Sequence, residues 1–123
     1  MRKVALAAIL AAGALAASCA SEPKATEPVA RGRQVYREQG CATCHEPSLG
    51  NFFRPVGPPL DHVGTVAGTR RPGQSAEDYL RESVTDPGRF VVPGYPDSMP
   101  RGLSDRISNE DLDALIAYLV SLR

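Results

Sequence analysis

The chain has 123 residues, with 14 basic and 14 acidic side chains and a formal net charge of zero. That length suits a single domain, and that balance excludes the clustered basic excess on which nucleic-acid binding depends. With 11 glycines and 11 prolines beside 42% apolar residues, the core is thin at a size where burial is already marginal, so the fold calls for a staple such as a disulfide, a metal or a large apolar cofactor.

Arg2 and Lys3 precede an uncharged run from Val4 to Ala17, VALAAILAAGALAA. A basic head followed by a short apolar core is the pattern of a secretory signal. Its 14 residues fall short of the ~20 that a bilayer-spanning helix needs. Leu15-Ala16-Ala17-Ser18-Cys19 resembles a bacterial lipoprotein signal, whose cysteine becomes the lipid-bearing N-terminus; cleavage after Ala16 or after Ala20 also satisfies the small-residue rule. Residues 1–19 are therefore read as a signal cut before Cys19, and Cys19 as the lipidation site, because a spare thiol in an exported chain otherwise wants a partner. Residues 20–28, with Pro23 and Pro28 among small and charged side chains, read as a flexible tether. Without Arg2 and Lys3 the chain keeps 12 basic against 14 acidic residues, a net of −2. The remaining domain, 29–123, is expected on the periplasmic side of a membrane, lipid-anchored there, or soluble in the periplasm if the signal is cut elsewhere.

Three segments of the domain carry helical patterns, and none alternates with the period of two expected of a strand, so the fold class is all-α. The first runs from about Val29 to Gln39, with Gly32, Val35 and Tyr36 at spacings of three and four and Gly40 as its stop. The second is introduced by Ser75, with Asp78 three residues on, and runs from Ala76 to Val84 until Asp86-Pro87 ends it. Tyr79, Leu80 and Val84 should face inward. The third is capped by Ser108, carries Glu110 and Asp111 at its positive end, and repeats Leu112, Leu115, Ile116, Leu119 and Leu122 on one face. Segments 46–71 and 85–106 read as Gly/Pro-punctuated loops, suspiciously long for a compact domain unless they wrap something.

Between the first two helices lies Cys41-Ala42-Thr43-Cys44-His45. In a helical turn, residues three apart lie on one side, so both thiols can meet one edge of a flat molecule while the next residue turns its imidazole toward that molecule's centre. Thiols that add to the vinyl groups of haem form thioethers, and His45 then becomes an axial iron ligand. Three other readings share the motif. A structural zinc site needs four ligands, and only His62 could join the cluster. A thioredoxin-like redox pair calls for a βαβ surround that this chain lacks. A disulfide between Cys41 and Cys44 would close too short a loop to constrain much.

Apart from the initiator, Met99 is the only methionine, and it stands in VVPGYPDSMP, residues 91–100, a stretch with three prolines. Its soft thioether suits haem iron, although a lone methionine is ordinarily a core gap-filler. His62 is the rival sixth ligand; it follows a stiff Pro-Pro-Leu-Asp turn only 17 residues after His45.

In order, these features resemble a class I (monohaem) c-type cytochrome: an N-terminal helix ending in Gly40, CATCH, Gly57-Pro58-Pro59-Leu60, a middle helix, PGYPDSMP, and a C-terminal helix ending Leu115-Ile116-Ala117-Tyr118-Leu119. The likeness spans nearly all of the domain and extends to small exported bacterial cytochromes and to the cytochrome domain of some terminal oxidase subunits. It implies three main helices and loops wrapped around one haem c, covalently attached through Cys41 and Cys44, with iron between His45 and Met99. It further implies that the Pro58 carbonyl accepts a hydrogen bond from His45, that Leu60 packs on the haem, and that Gly32, Tyr36, Leu115 and Tyr118 form a tight crossing of the terminal helices. The resemblance matches no residue to the haem carboxylates; Arg70, Arg71 and Tyr95 are the candidates. Lys24 is the only lysine outside the signal, so the lysine ring that this family uses for docking is missing.

The function so implied is single-electron transfer, without turnover of its own, between exported or membrane redox partners such as a terminal oxidase, a quinol-cytochrome c reductase or a dehydrogenase. The alternatives are an electron-accepting haem subunit of a larger oxidase or dehydrogenase complex, and a peroxidase-like enzyme with an open iron site.

Overall fold

The computed structural model describes residue 24, residues 26–46 and residues 56–123. The segment expected to be a signal, Cys19 and most of the expected tether lie outside the described residues. Among the described residues there are five α-helices and no strand: α1 Pro28–Glu38, α2 Ala42–His45, α3 Val63–Arg70, α4 Ala76–Thr85 and α5 Asn109–Ser121, with a 3₁₀ turn at Ser104–Arg106. The all-α expectation holds. None of these helices is long and apolar enough to cross a membrane.

Helix α1 begins with proline at its first turn, where the missing N–H is no loss. It ends with Gly40 at φ 70°, the left-handed conformation that glycine adopts without penalty. The Gly40 N–H donates to Arg37 O at 3.0 Å and the Cys41 N–H to Tyr36 O at 3.2 Å. This pair of reversed hydrogen bonds is a Schellman stop. The Ser75 and Ser108 hydroxyls accept from the Asp78 and Asp111 N–H groups at 3.0 and 3.1 Å, so both predicted caps are in place.

The core forms where α1 and α5 cross. Val35, Leu115 and Ile116 are each 1% exposed, and each such side chain contributes roughly 1.5–3 kcal/mol by leaving water. Gly32 is what lets the backbones meet: a Cβ there would overlap the Ala114 carbonyl oxygen and lie 2.6 Å from Tyr118 Cβ. Beside it the Tyr36 and Tyr118 rings meet edge to face, centroids 5.5 Å apart. Arg31 closes the flank with a two-pronged pair to Asp111, both contacts at 2.7 Å.

Helix α3 departs from the sequence expectation, lying inside a stretch that reads as loop. Its sequence VGTVAGTR holds two glycines and four β-branched residues, a composition that disfavours an isolated helix. Tertiary packing overrides that preference. Val63 and Ala67 are buried, and a Cβ on Gly64 would overlap the Val120 carbonyl. The Gly64 N–H donates to Leu122 O at 2.8 Å.

Candidate functional site

The Schellman stop delivers the chain directly into Cys41, and one helical turn follows. The His45 N–H donates to Cys41 O at 3.1 Å and the Glu46 N–H to Ala42 O at 2.9 Å. Cys41, Cys44 and His45 all face one cleft, whose walls also include Pro58, Leu60 and Met99. All six residues singled out around the haem motif are thus brought together. Cys41 and Cys44 are not joined in a disulfide.

The imidazole is held from two sides. His45 Nδ1 stands 2.7 Å from the Pro58 carbonyl oxygen, which can only accept, so Nδ1 carries the proton and Nε2 keeps its lone pair. Gly57 lies against the ring: a Cβ there would fall 2.8 Å from Cε1 and 2.9 Å from Nδ1. Its N–H donates to Cys44 O at 3.2 Å, which ties the Pro58 loop to the motif. Burial lowers the His45 pKa, partly opposed by the Pro58 hydrogen bond, so at neutral pH the ring is a neutral donor. Burial also pushes the Cys41 thiol up to about 11. A metal ion takes the thiolate, which burial here disfavours. Among the described residues no three His, Cys, Asp or Glu side chains converge to hold a metal ion.

Met99 lines the cleft from the loop 91–100. Pro93 and Gly94 sit at the centre of a turn closed by the Tyr95 N–H on Val92 O at 3.1 Å, with Gly94 at φ 92°. This is the sequence requirement of a type II turn. His62 is placed elsewhere, at the N-terminus of α3, its side chain 69% exposed and 3.5 Å from Asp61. It is not a wall of the cleft.

The rest of the wall is mostly apolar: Val63, Tyr79, Leu80, Phe90 and Leu115 among others. Phe90 packs edge-on against Tyr79 at 6.0 Å and lies under the Arg71 guanidinium at 5.7 Å. Arg71 is also paired with Glu82. Of the three candidates for an anionic group, Arg70 and Tyr95 line the cleft and Arg71 does not. Arg106 lines it as well, a residue passed over in sequence because an arginine in a polar loop carries no signal of direction. Gly57 was legible only as part of a motif; its steric role appears once the His45 ring is seen against it.

The donor set fits a large flat apolar group that carries iron: two thiols on one turn, an imidazole with its lone pair free, a thioether, and a glycine where a side chain would displace the ring.

Comparison with known proteins agrees. The Cytochrome c family profile matches residues 29–123. Cytochrome c oxidase subunit 2 of Alkalihalophilus pseudofirmus is 34% identical over 103 residues, which cover 80% of this chain and 27% of that protein. The chain thus spans about a quarter of the length of this relative. Fold, cleft and profile together place the chain in the cytochrome c family, whose members transfer electrons through haem.

Proposed function

We propose that this chain is a single-electron carrier holding one haem c, bound covalently through Cys41 and Cys44, with His45 and Met99 as axial ligands. The observation that carries the reading is the His45–Pro58 hydrogen bond of 2.7 Å, which fixes the tautomer and leaves the Nε2 lone pair free to bind iron. The haem supplies the redox couple. The residues of this chain do the rest. Cys41 and Cys44 anchor one edge, and Leu60 with the apolar wall excludes water. Gly57 and Pro58 fix the imidazole, and Met99 would supply the second iron ligand in place of an exogenous one. A thioether ligand and a dry wall both raise the reduction potential.

The test is the absorption spectrum of the protein made with cytochrome maturation machinery, wild type beside Met99→Ala. Covalent haem that survives denaturing gel electrophoresis is expected in both, and a low-spin spectrum in the wild type. The sulfur-to-iron charge-transfer band should be present in the first and lost in the second, with a fall in potential. A chain that takes up no covalent haem would end the reading, and an unchanged band in Met99→Ala would move the sixth ligand elsewhere. A vacant sixth position in the wild type would favour the peroxidase-like alternative.

The similarity to a cytochrome c oxidase subunit 2 supports a redox partner in an oxidase context, with this chain as a separate donor or as a haem subunit of the complex. Reductases of cytochrome c and dehydrogenases are the other partners to assay. We place the protein on the periplasmic side, anchored through a lipid on Cys19; Cys19→Ser should move it from the membrane fraction to the soluble one, and an unchanged distribution would refute the anchor.

A further inference from the structure

We propose that Arg101 is a positioning residue for Met99, a reading that rests on the ligand set proposed above. Met99 lies in irregular backbone between Pro96 and Gly102, so no helix hydrogen bonds hold it. The Arg101 Nη2 reaches back to Asp97, 3.0 and 3.3 Å from its two carboxylate oxygens. The pair straddles Ser98-Met99-Pro100 and closes that segment into a short ring. The same guanidinium rests on the turn that leaves α4: a Cβ on Gly88 would overlap Nη2 and lie 3.2 Å from Cζ. That turn is firm, because Pro87 before it is buried and lines the cleft, and the Arg89 N–H donates to Asp86 O at 2.9 Å. Arg101 thus joins the methionine's own loop to the cleft wall at a place where only glycine leaves room. Neither partner is buried, with the side chains 60% and 49% exposed, so the pair adds little to global stability. Its effect falls on a local equilibrium instead, the opening of the Met99 segment, and that equilibrium decides whether an outside ligand can reach the iron.

The experiment is a titration of the ferric holoprotein with imidazole, with the charge-transfer band and the melting temperature followed in parallel. Arg101→Ala should bind imidazole about threefold to fivefold more tightly, as expected from losing an exposed ion pair. Its band should weaken while its melting temperature stays close to that of the wild type. Asp97→Asn should behave alike, Arg101→Lys should recover part of the effect, and Gly88→Ala should move in the same direction by displacing the guanidinium. Arg89→Ala removes an equal charge from the same turn and should change nothing. Unchanged imidazole affinity in both Arg101→Ala and Asp97→Asn, with a large rise in Met99→Ala, would overturn this inference alone. Equal effects of Arg89→Ala and Arg101→Ala would overturn it too, by showing a charge effect. If Met99→Ala itself alters neither band nor affinity, the proposed ligand set fails instead.

Discussion

The α1–α5 crossing and the loop 91–101 hold two walls of the cleft by different means. At the crossing, Gly32 brings two helices into backbone contact beside side chains 1% exposed. There, position follows from close packing, and anything added must displace a helix. In the loop, prolines, a type II turn and the Asp97–Arg101 pair restrict a backbone with little burial of its own. The wall that carries Tyr36 and Leu115 is thus built into the core, whereas the wall that carries Met99 is a stiffened surface segment. Damage to the first should be lost as stability, and damage to the second as ligation.

Four substitutions would break or sharpen that contrast. The largest effect is expected from Gly32→Ala, whose new methyl meets the Ala114 carbonyl and Tyr118 Cβ. It should destabilise the protein by about 3 kcal/mol or more by chemical denaturation, and a loss under 1 kcal/mol would show that the crossing is looser than its geometry. Next, Gly57→Ala places a Cβ 2.8 Å from the His45 ring and should cost about 1–3 kcal/mol. Unlike Gly32→Ala, it should also shift the reduction potential, since the ring must turn off the Pro58 carbonyl.

The third is a pH test at the flank of the crossing. The Arg31 hydrogen bond holds the Asp111 carboxyl below its ordinary value of 3.8. A carboxylate lowered on folding adds stability that is complete above the unfolded value and is lost as pH falls through the folded one. Asp111→Asn should therefore be less stable than wild type by about 1 kcal/mol at pH 6–7, with the gap closing below about pH 4. A gap that persists at low pH would assign the effect to packing. The smallest change is expected from Ser75→Ala, which removes a 3.0 Å cap from α4 and should cost about 0.5–1 kcal/mol without altering the haem spectrum.

Much of this was legible in the residues. Helices α1, α4 and α5 were readable because each couples an apolar stripe to a local start or stop signal: Gly40 for the first, Ser75 and Ser108 for the others. Helix α3 was not, because Gly64, Gly68 and four β-branched residues argue against a helix on their own. What holds it is Gly64 against the carbonyls of Val120 and Leu122, a contact between residues far apart in sequence. The site divides in the same way. Cys41, Cys44, His45 and Met99 were found by residue type and spacing, because thiols, imidazoles and thioethers carry their chemistry with them. Pro58 acts through a carbonyl that every residue possesses, so only resemblance pointed to it. Arg70, Arg71 and Arg106 were alike in sequence, and only packing turned two toward the cleft and gave the third to Glu82.

By itself, then, the sequence determined the helical class, the caps and the reactive groups, since propensity, periodicity and functional-group chemistry are local properties. Tertiary structure alone decided that a glycine-rich segment would be a helix, that Gly57 would seat the imidazole, which arginines line the cleft, and that Arg101 would lie on Gly88. Those outcomes depend on steric contact and charge pairing between distant residues, which no local pattern encodes.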